Sequence, residues 1–347
     1  MKVYPEELEL FAKYTREELQ DFPLVTDDQF EQMRTHSRKL KEWEKQHWVF
    51  HNTLNVVVLT LLVSLMVYFG MILPTQLAPS YSMLFLCAGL YGFVSYSLCI
   101  FTLHEGAGHN SIIRNHGPIS RALGFVANNL CRLSFADSSY YHSIHPQHHH
   151  STATENDCAF TNYVMPKRFL ISMLPLSGVM PYCDYKIHTP PTMTKSKLVT
   201  DLIGTTWILI IAYQLLTHGY SVLMTAVFIV FMTWVSFTVD RIRETTEHNL
   251  MPGNKNNVAR SFGPNLWGLF ICGGPWGQVC HLMHHMLPSA TWYQQIILHY
   301  RFKAIATPAQ LEAFCMQGGM LDYPKVAYKI LRTNIKDYFY AKGPGPS

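Results

Sequence analysis

The residues best equipped for chemistry are histidines, and they come in spaced groups. Segment 281-HLMHH-285 sets imidazoles at i, i+3 and i+4. On a helix that spacing is one face, so all three can aim at one place. Segment 145-HPQHH-149 repeats the spacing, and Pro146 suits the first turn of a helix that starts near His145. His104 and His109 stand further apart in 104-HEGAGH-109, where Gly106 and Gly108 permit a bend. His248 follows in 243-RETTEHN-249. One histidine pair alone reads as loop polarity. Two copies of H-x-x-H-H beside H-x-x-x-x-H read as metal ligands. His142 and His150 are surplus to these groups. His36, His47, His51, His116, His188, His218 and His299 stand apart from them and read as structural.

Imidazole without thiolate suits zinc, copper, iron or nickel. The eight cysteines include no C-x-x-C pair, so neither a zinc ribbon nor a disulfide framework is expected. Nine histidines (His104, His109, His145, His148, His149, His248, His281, His284 and His285) exceed what one ion of roughly four to six ligands can use, so two ions are implied. The motif 104-HEGAGH-109 departs from H-E-x-x-H by one residue, which argues against a zinc protease.

Something must bring these groups together. Charged residues make up 14% of the chain, well under the roughly 25% of a soluble domain. Four apolar runs, at about 54–73, 81–103, 199–218 and 220–240, each match the ~20 residues that cross a bilayer. Asp201 lies near the start of the third run and Asp240 at the end of the fourth. The links within each pair of runs are short, so the runs form two antiparallel hairpins. Residues 47–103 and 199–240 hold no Lys or Arg. All 27 lie elsewhere, with 8 in 1–46, 8 in 104–198 and 11 in 241–347. Two hairpins put those three segments on one face, and the positive-inside rule makes that face cytoplasmic. Four buried helices of a soluble core would not require such a partition.

The expected fold is therefore all-α and integral to the membrane. Four transmembrane helices form two hairpins under a cytoplasmic helical cap that carries the histidines. Residues 1–46 form a cytoplasmic N-terminal segment, 47–301 the membrane domain and 302–347 a cytoplasmic tail. The acidic start MKVYPEELEL lacks an apolar core, so no cleavable signal is expected. Helix is expected over 27–46, with Asp27 or Asp28 as its cap, and Trp48 suits the membrane interface. Stretches 169–180 and 261–278 are apolar but short or broken, and read as interfacial or re-entrant. Thr307, Pro308 and Gln310 read as N-cap, N1 and N3 of a helix. The net charge of +4 gives no sign of a nucleic-acid partner.

The order H-x4-H, H-x2-H-H and a distal H-x2-H-H resembles the three histidine boxes of the membrane fatty acid desaturase and hydroxylase superfamily. The resemblance covers roughly residues 50–300. Segments 281-HLMHHMLPSATWYQ-294 and 148-HHHSTATEND-157 are similar to the third and second boxes with their following residues. Segment 241-RIRETTEH-248 is similar to an Arg…Glu-His element ahead of the third box. The resemblance implies two non-haem irons, with O2 as co-substrate. It implies His104, His109, His145, His148, His149, His248, His281, His284 and His285 as ligands. Glu244, four residues before His248, is a further possible ligand, direct or through water. Glu105, Glu247, Asp157 and Asp240 are candidates to accept ligand N–H groups from behind. The role of His142 stays open.

The implied function is a fatty acid desaturase that draws an acyl chain from the membrane. A hydroxylase or ketolase acting on a lipid, alkane or carotenoid is the alternative, and a metal transporter or sensor is a remote third. The chain holds no His-Pro-Gly-Gly haem segment and no cysteine cluster, so a separate ferredoxin- or cytochrome-type donor with its reductase is expected. The expected location is the bacterial inner membrane, or else the endoplasmic reticulum, with both termini and the active site cytoplasmic.

Overall fold

The computed structural model describes residues 22–108, 111–130, 145, 146, 148–150, 152, 195–248, 251 and 259–315. Among these residues every regular element is a helix. Helix α1 (Asp27–Gln46) is capped by Thr26, not by Asp27 or Asp28. Thr26 Oγ1 accepts the Gln29 N–H at 3.3 Å, and Gln29 Oε1 accepts the Thr26 N–H at 3.0 Å. This reciprocal pair satisfies two backbone donors, and the aspartates fall in the first turn, where the helix dipole favours them.

Helix α2 (Trp48–Val67) passes through a π-helical turn, Tyr68–Ile72, into α3 (Leu73–Gln76). Pro74 has no N–H to offer the preceding turn, and the chain widens just before it. Helix α4 (Tyr81–Phe101) likewise runs into a π-helical segment, Thr102–Gly108. Helix α5 (Gly117–Leu130) follows, then α6 (Lys195–Thr217) and α7 (Val222–His248). Gly219 makes the turn between α6 and α7 at φ +86°, a conformation open to glycine.

Three helices are long and apolar enough to cross a membrane: Trp48–Gln76, Tyr81–Glu105 and Val222–Asp240. At ~1.5 Å per residue even the shortest reaches about 28 Å, close to the ~30 Å of a hydrocarbon core. The apolar helical part of the remaining expected run, Leu202–Thr217, is shorter than these three. Val49, Phe50, Val57 and Leu61 on α2 are exposed, as are Leu202, Leu209 and Tyr213 on α6. Apolar surface on this scale suits contact with lipid or with another protein. Helix α4 is the central one: Leu84, Cys87, Ala88, Tyr91, Leu98 and Phe101 are buried, and Tyr91 OH accepts from Trp207 Nε1 at 2.7 Å.

The elements beyond these helices are short. Within 261–278, Asn265 caps α8 (Leu266–Ile271), and the turn after it rests on the end of α4. Tyr96 OH donates to the Ile271 carbonyl at 3.0 Å, Ser97 Oγ donates to the Gly273 carbonyl, and Trp276 Nε1 donates to Ser97 Oγ at 2.9 Å. Helices α9 (His281–Met286), α10 (Trp292–Ile305) and α11 (Pro308–Phe314) complete the fold. Thr307 and Gln310 form the expected capping box on α11. Gln294 Nε2 on α10 reaches Glu44 Oε2 at 2.5 Å, which docks α1 onto α10. The expected interfacial stretch 169–180 lies outside the described residues.

Candidate metal centre

The described histidine candidates lie in or just after helical segments. The widened turn after α4 carries His104, whose Nδ1–H donates to the Ile100 carbonyl at 2.9 Å. That bond fixes the tautomer and leaves Nε2 with its lone pair for a metal. Helix α7 does not stop at the end of its apolar run; it continues and ends on His248. Every residue of α9 is buried, including His281, His284 and His285. Residues 145, 146 and 148–150 are helical, with His145 buried and His150 exposed. Thr152 Oγ1 donates to the His148 carbonyl and lies 3.4 Å from His285 Nδ1.

These rings form two groups. The ligand atoms of His148, His248, His281 and His285 all lie within 4.8 Å of one another, and so do those of His104, His145 and His284. His149 Nε2 joins the second group, 3.1 Å from His145 Nε2 and 2.9 Å from His284 Nε2. The His149 ring also stands 4.5 Å from that of His285, so the two groups are neighbours. The expectation that each H-x-x-H-H motif aims at a single point is corrected. His281 and His285 stay together while His284 crosses to the other group, and His145 and His149 stay together while His148 crosses. At about 100° per residue, i+3 and i+4 lie on opposite sides of position i and diverge by about 100°. Two motifs packed face to face can therefore exchange their i+3 histidines.

The nitrogen spacings fit a shared cation. His281 Nε2 is 2.9 Å from His248 Nε2 and 3.1 Å from His285 Nε2. An imidazole nitrogen carries either one proton or one lone pair, so three such atoms meeting at one point cannot all be satisfied by hydrogen bonds to one another. Ligands each about 2.1 Å from one divalent ion, at tetrahedral or octahedral angles, stand about 3.0–3.4 Å apart. Burial holds the pKa of His281 and of His285 well below that of ordinary histidine, and the neighbouring histidines add to the effect. The neutral ring is the form that binds metal.

The carboxylates play other parts. Glu247 is buried, accepts from Arg243 Nη1 at 2.6 Å and lies 3.5 Å from His281 Nε2. Arg243 also pairs with Asp240 at 3.1 Å. Glu105 accepts from Ser111 Oγ and, at 3.0 Å, from the Trp292 N–H. It thereby ties the turn after α4 to the start of α10. Glu244 lies on α7. His109, His142 and Asp157 lie outside the described residues. Sequence reasoning missed two supports, the Ile100 carbonyl behind His104 and the Thr152 hydroxyl beside His285. The first carries no side-chain signal, and the second is one hydroxyl in a polar run.

The chain matches no known protein family, no curated protein and no solved structure.

Proposed function

We propose that the chain is an O2-dependent membrane oxidoreductase with two non-haem irons, acting as a fatty acyl desaturase. The observation that carries this reading is the pair of adjoining histidine groups at the ends of apolar helices. In this reading His104, His145, His149 and His284 hold one iron, and His148, His248, His281 and His285 hold the other, with His109 as a ninth ligand. When bound, the irons supply with O2 an oxidant strong enough for an unactivated C–H bond, which no side chain can provide.

The chain's residues hold and shelter that chemistry. The Ile100 carbonyl and Thr152 orient His104 and His285. Phe101, Trp276 and Trp292 pack edge to face at the end of α4, their neighbouring ring centroids 6.5 and 6.2 Å apart, and help keep water from the centre. Helix α6 acts as a fourth span, so α2, α4, α6 and α7 form two hairpins with both termini and the metal centre on the cytoplasmic face. The acyl chain enters from the bilayer, and electrons come from a separate ferredoxin- or cytochrome-type donor.

The test is expression in a host of defined lipid composition, followed by mass spectrometry of its lipids. The expected result is a new double bond at a fixed position, absent with His284→Ala. A product carrying an inserted oxygen would move the reading to hydroxylation. Host lipids left unchanged by the expressed chain, with the purified chain carrying no iron, would overturn it.

A further inference from the structure

Away from the histidines, three parts of the fold meet around a recess of about 360 Å³ lined by Lys41, Lys45, Arg114, Asn115 and Ser289. Lys41 and Lys45 are one turn apart near the end of α1, on one face. Arg114 and Asn115 belong to the turn after the His104 segment, and Asn115 takes the left-handed conformation at φ +67°. Ser289 lies in the loop between α9 and α10, four residues past His285.

The charges in this recess are fixed and only partly balanced. Glu44, fully buried, holds Arg114 from behind, with Nη2 2.5 Å from Oε1. Gln294 engages the other carboxylate oxygen, so the guanidinium is anchored while part of it stays exposed. Lys45 pairs with Glu42 at 2.7 Å, but both side chains are 66% exposed, and such pairs contribute little. Lys41 reaches Ser289 Oγ, and among the described residues no carboxylate pairs with its Nζ. Burial and the nearby Arg114 hold the Lys41 pKa below its usual value. Two ammonium groups, a pre-set guanidinium and a hydroxyl thus face one concavity. That donor set suits the oxygens of a phosphate.

The position of the recess selects the source of that phosphate. Lys45 is three residues from Trp48, where the first membrane-crossing helix begins and exposed Trp48, Val49 and Phe50 open its apolar surface. Three residues reach at most about 11 Å, which places the recess beside the head-group layer. We propose that it binds the phosphodiester of a phospholipid head group. An acidic protein partner fits less well, because the recess adjoins the start of an apolar helix whose exposed Trp48, Val49 and Phe50 suit a lipid surface. The inference rests on α2 lying in the membrane and not on the metal reading.

The test uses the full chain purified in dodecyl maltoside, which carries no phosphate. Binding of dioctanoyl phosphatidylglycerol, dioctanoylglycerol and inorganic phosphate is compared by thermophoresis. Phosphatidylglycerol is expected to bind, with affinity falling as salt rises, and the other two to bind at least tenfold more weakly. Lys41→Gln with Lys45→Gln should weaken phosphatidylglycerol at least tenfold, Lys45→Gln alone should weaken it less, and the double arginine variant should retain it. Equal affinity in the glutamine and wild-type chains would overturn the proposal. Inorganic phosphate binding as tightly as the lipid would overturn it in favour of a soluble phosphate ester. Lipid binding unchanged while donor-driven turnover collapses in the glutamine variant would overturn it in favour of a protein partner. The readout needs no metal, so an iron-free chain that still binds the lipid would sink the proposed activity and leave this site standing.

Discussion

Gly92 on α4 lies directly against the backbone of Met232 on α7: a Cβ at Gly92 would come 2.3 Å from the Met232 carbonyl oxygen. The contact sets the crossing of two helices that lead to ligand candidates, α7 ending on His248 and α4 running into the segment that carries His104. About 18 Å of helix separates Gly92 from His104, and about 24 Å separates Met232 from His248. Gly92→Ala should force the helices apart, costing about 1–3 kcal/mol and lowering metal content. Gly89→Ala is the control, because its Cβ would meet only Phe231 at an ordinary 3.6 Å. Melting temperature and metal analysis of both variants check this. Equal losses in the two would show that the crossing does not depend on Gly92.

The two histidine groups predict separable metal losses. His145→Ala and His281→Ala each touch one group, and each should lower bound metal by about half when the other site stays loaded. His299→Ala, outside both groups, should leave metal content unchanged. Chelation should lower the melting temperature of the wild-type chain, since an ion that binds only the folded state stabilises it by mass action. Elemental analysis with parallel thermal melts decides the matter.

Arg243 and Glu247 form a buried pair beside His281, 2.6 Å apart. Removing Arg243 takes away the guanidinium that faces the buried Glu247 carboxylate, and breaking such a buried pair costs about 3–5 kcal/mol. Arg243→Met should therefore destabilise strongly. Arg243→Met combined with Glu247→Gln should recover much of the loss, because the stranded charge is gone. A double-mutant cycle on chemical unfolding measures the coupling.

His299 on α10 gives a pH signature outside the metal centre. Burial pushes its pKa down to about 4. Between that value and the unfolded value near 6.5, the unfolded chain binds the extra proton, so stability rises with pH across this window. The contribution is fully present above about 6.5 and is lost as pH falls towards 4, reaching about 3 kcal/mol at most. His299→Phe should flatten that part of the stability profile. An unchanged slope between pH 4.5 and 6.5 would show that another group controls it.

Much of the architecture was legible from local pattern. The lengths of the apolar runs located the helices Trp48–Gln76, Tyr81–Glu105 and Val222–Asp240, with the first beginning six residues before the expected position 54. Thr307 and Gln310 announced α11 through a capping box that needs only local residues. The cap of α1 was misplaced by one or two positions because three neighbouring residues, Thr26, Asp27 and Asp28, can all cap, and Gln29 decides among them through a reciprocal bond. The continuation of α7 to His248 was hidden by the polar residues after Asp240, which end the apolar signal but not the helix.

By itself the sequence determined which side chains are available, their spacing along each helix and the apolar lengths that suit those helices to a membrane. Those properties follow from the fixed rise and turn of the α-helix. Only the tertiary structure decided which rings share a site: His284 stands with His104 and His145, and His148 with His248, His281 and His285. Helical periodicity gives direction relative to a local axis alone. The meeting of side chains more than a hundred residues apart depends on how closely those axes cross, and backbone contacts such as Gly92 against Met232 set that distance.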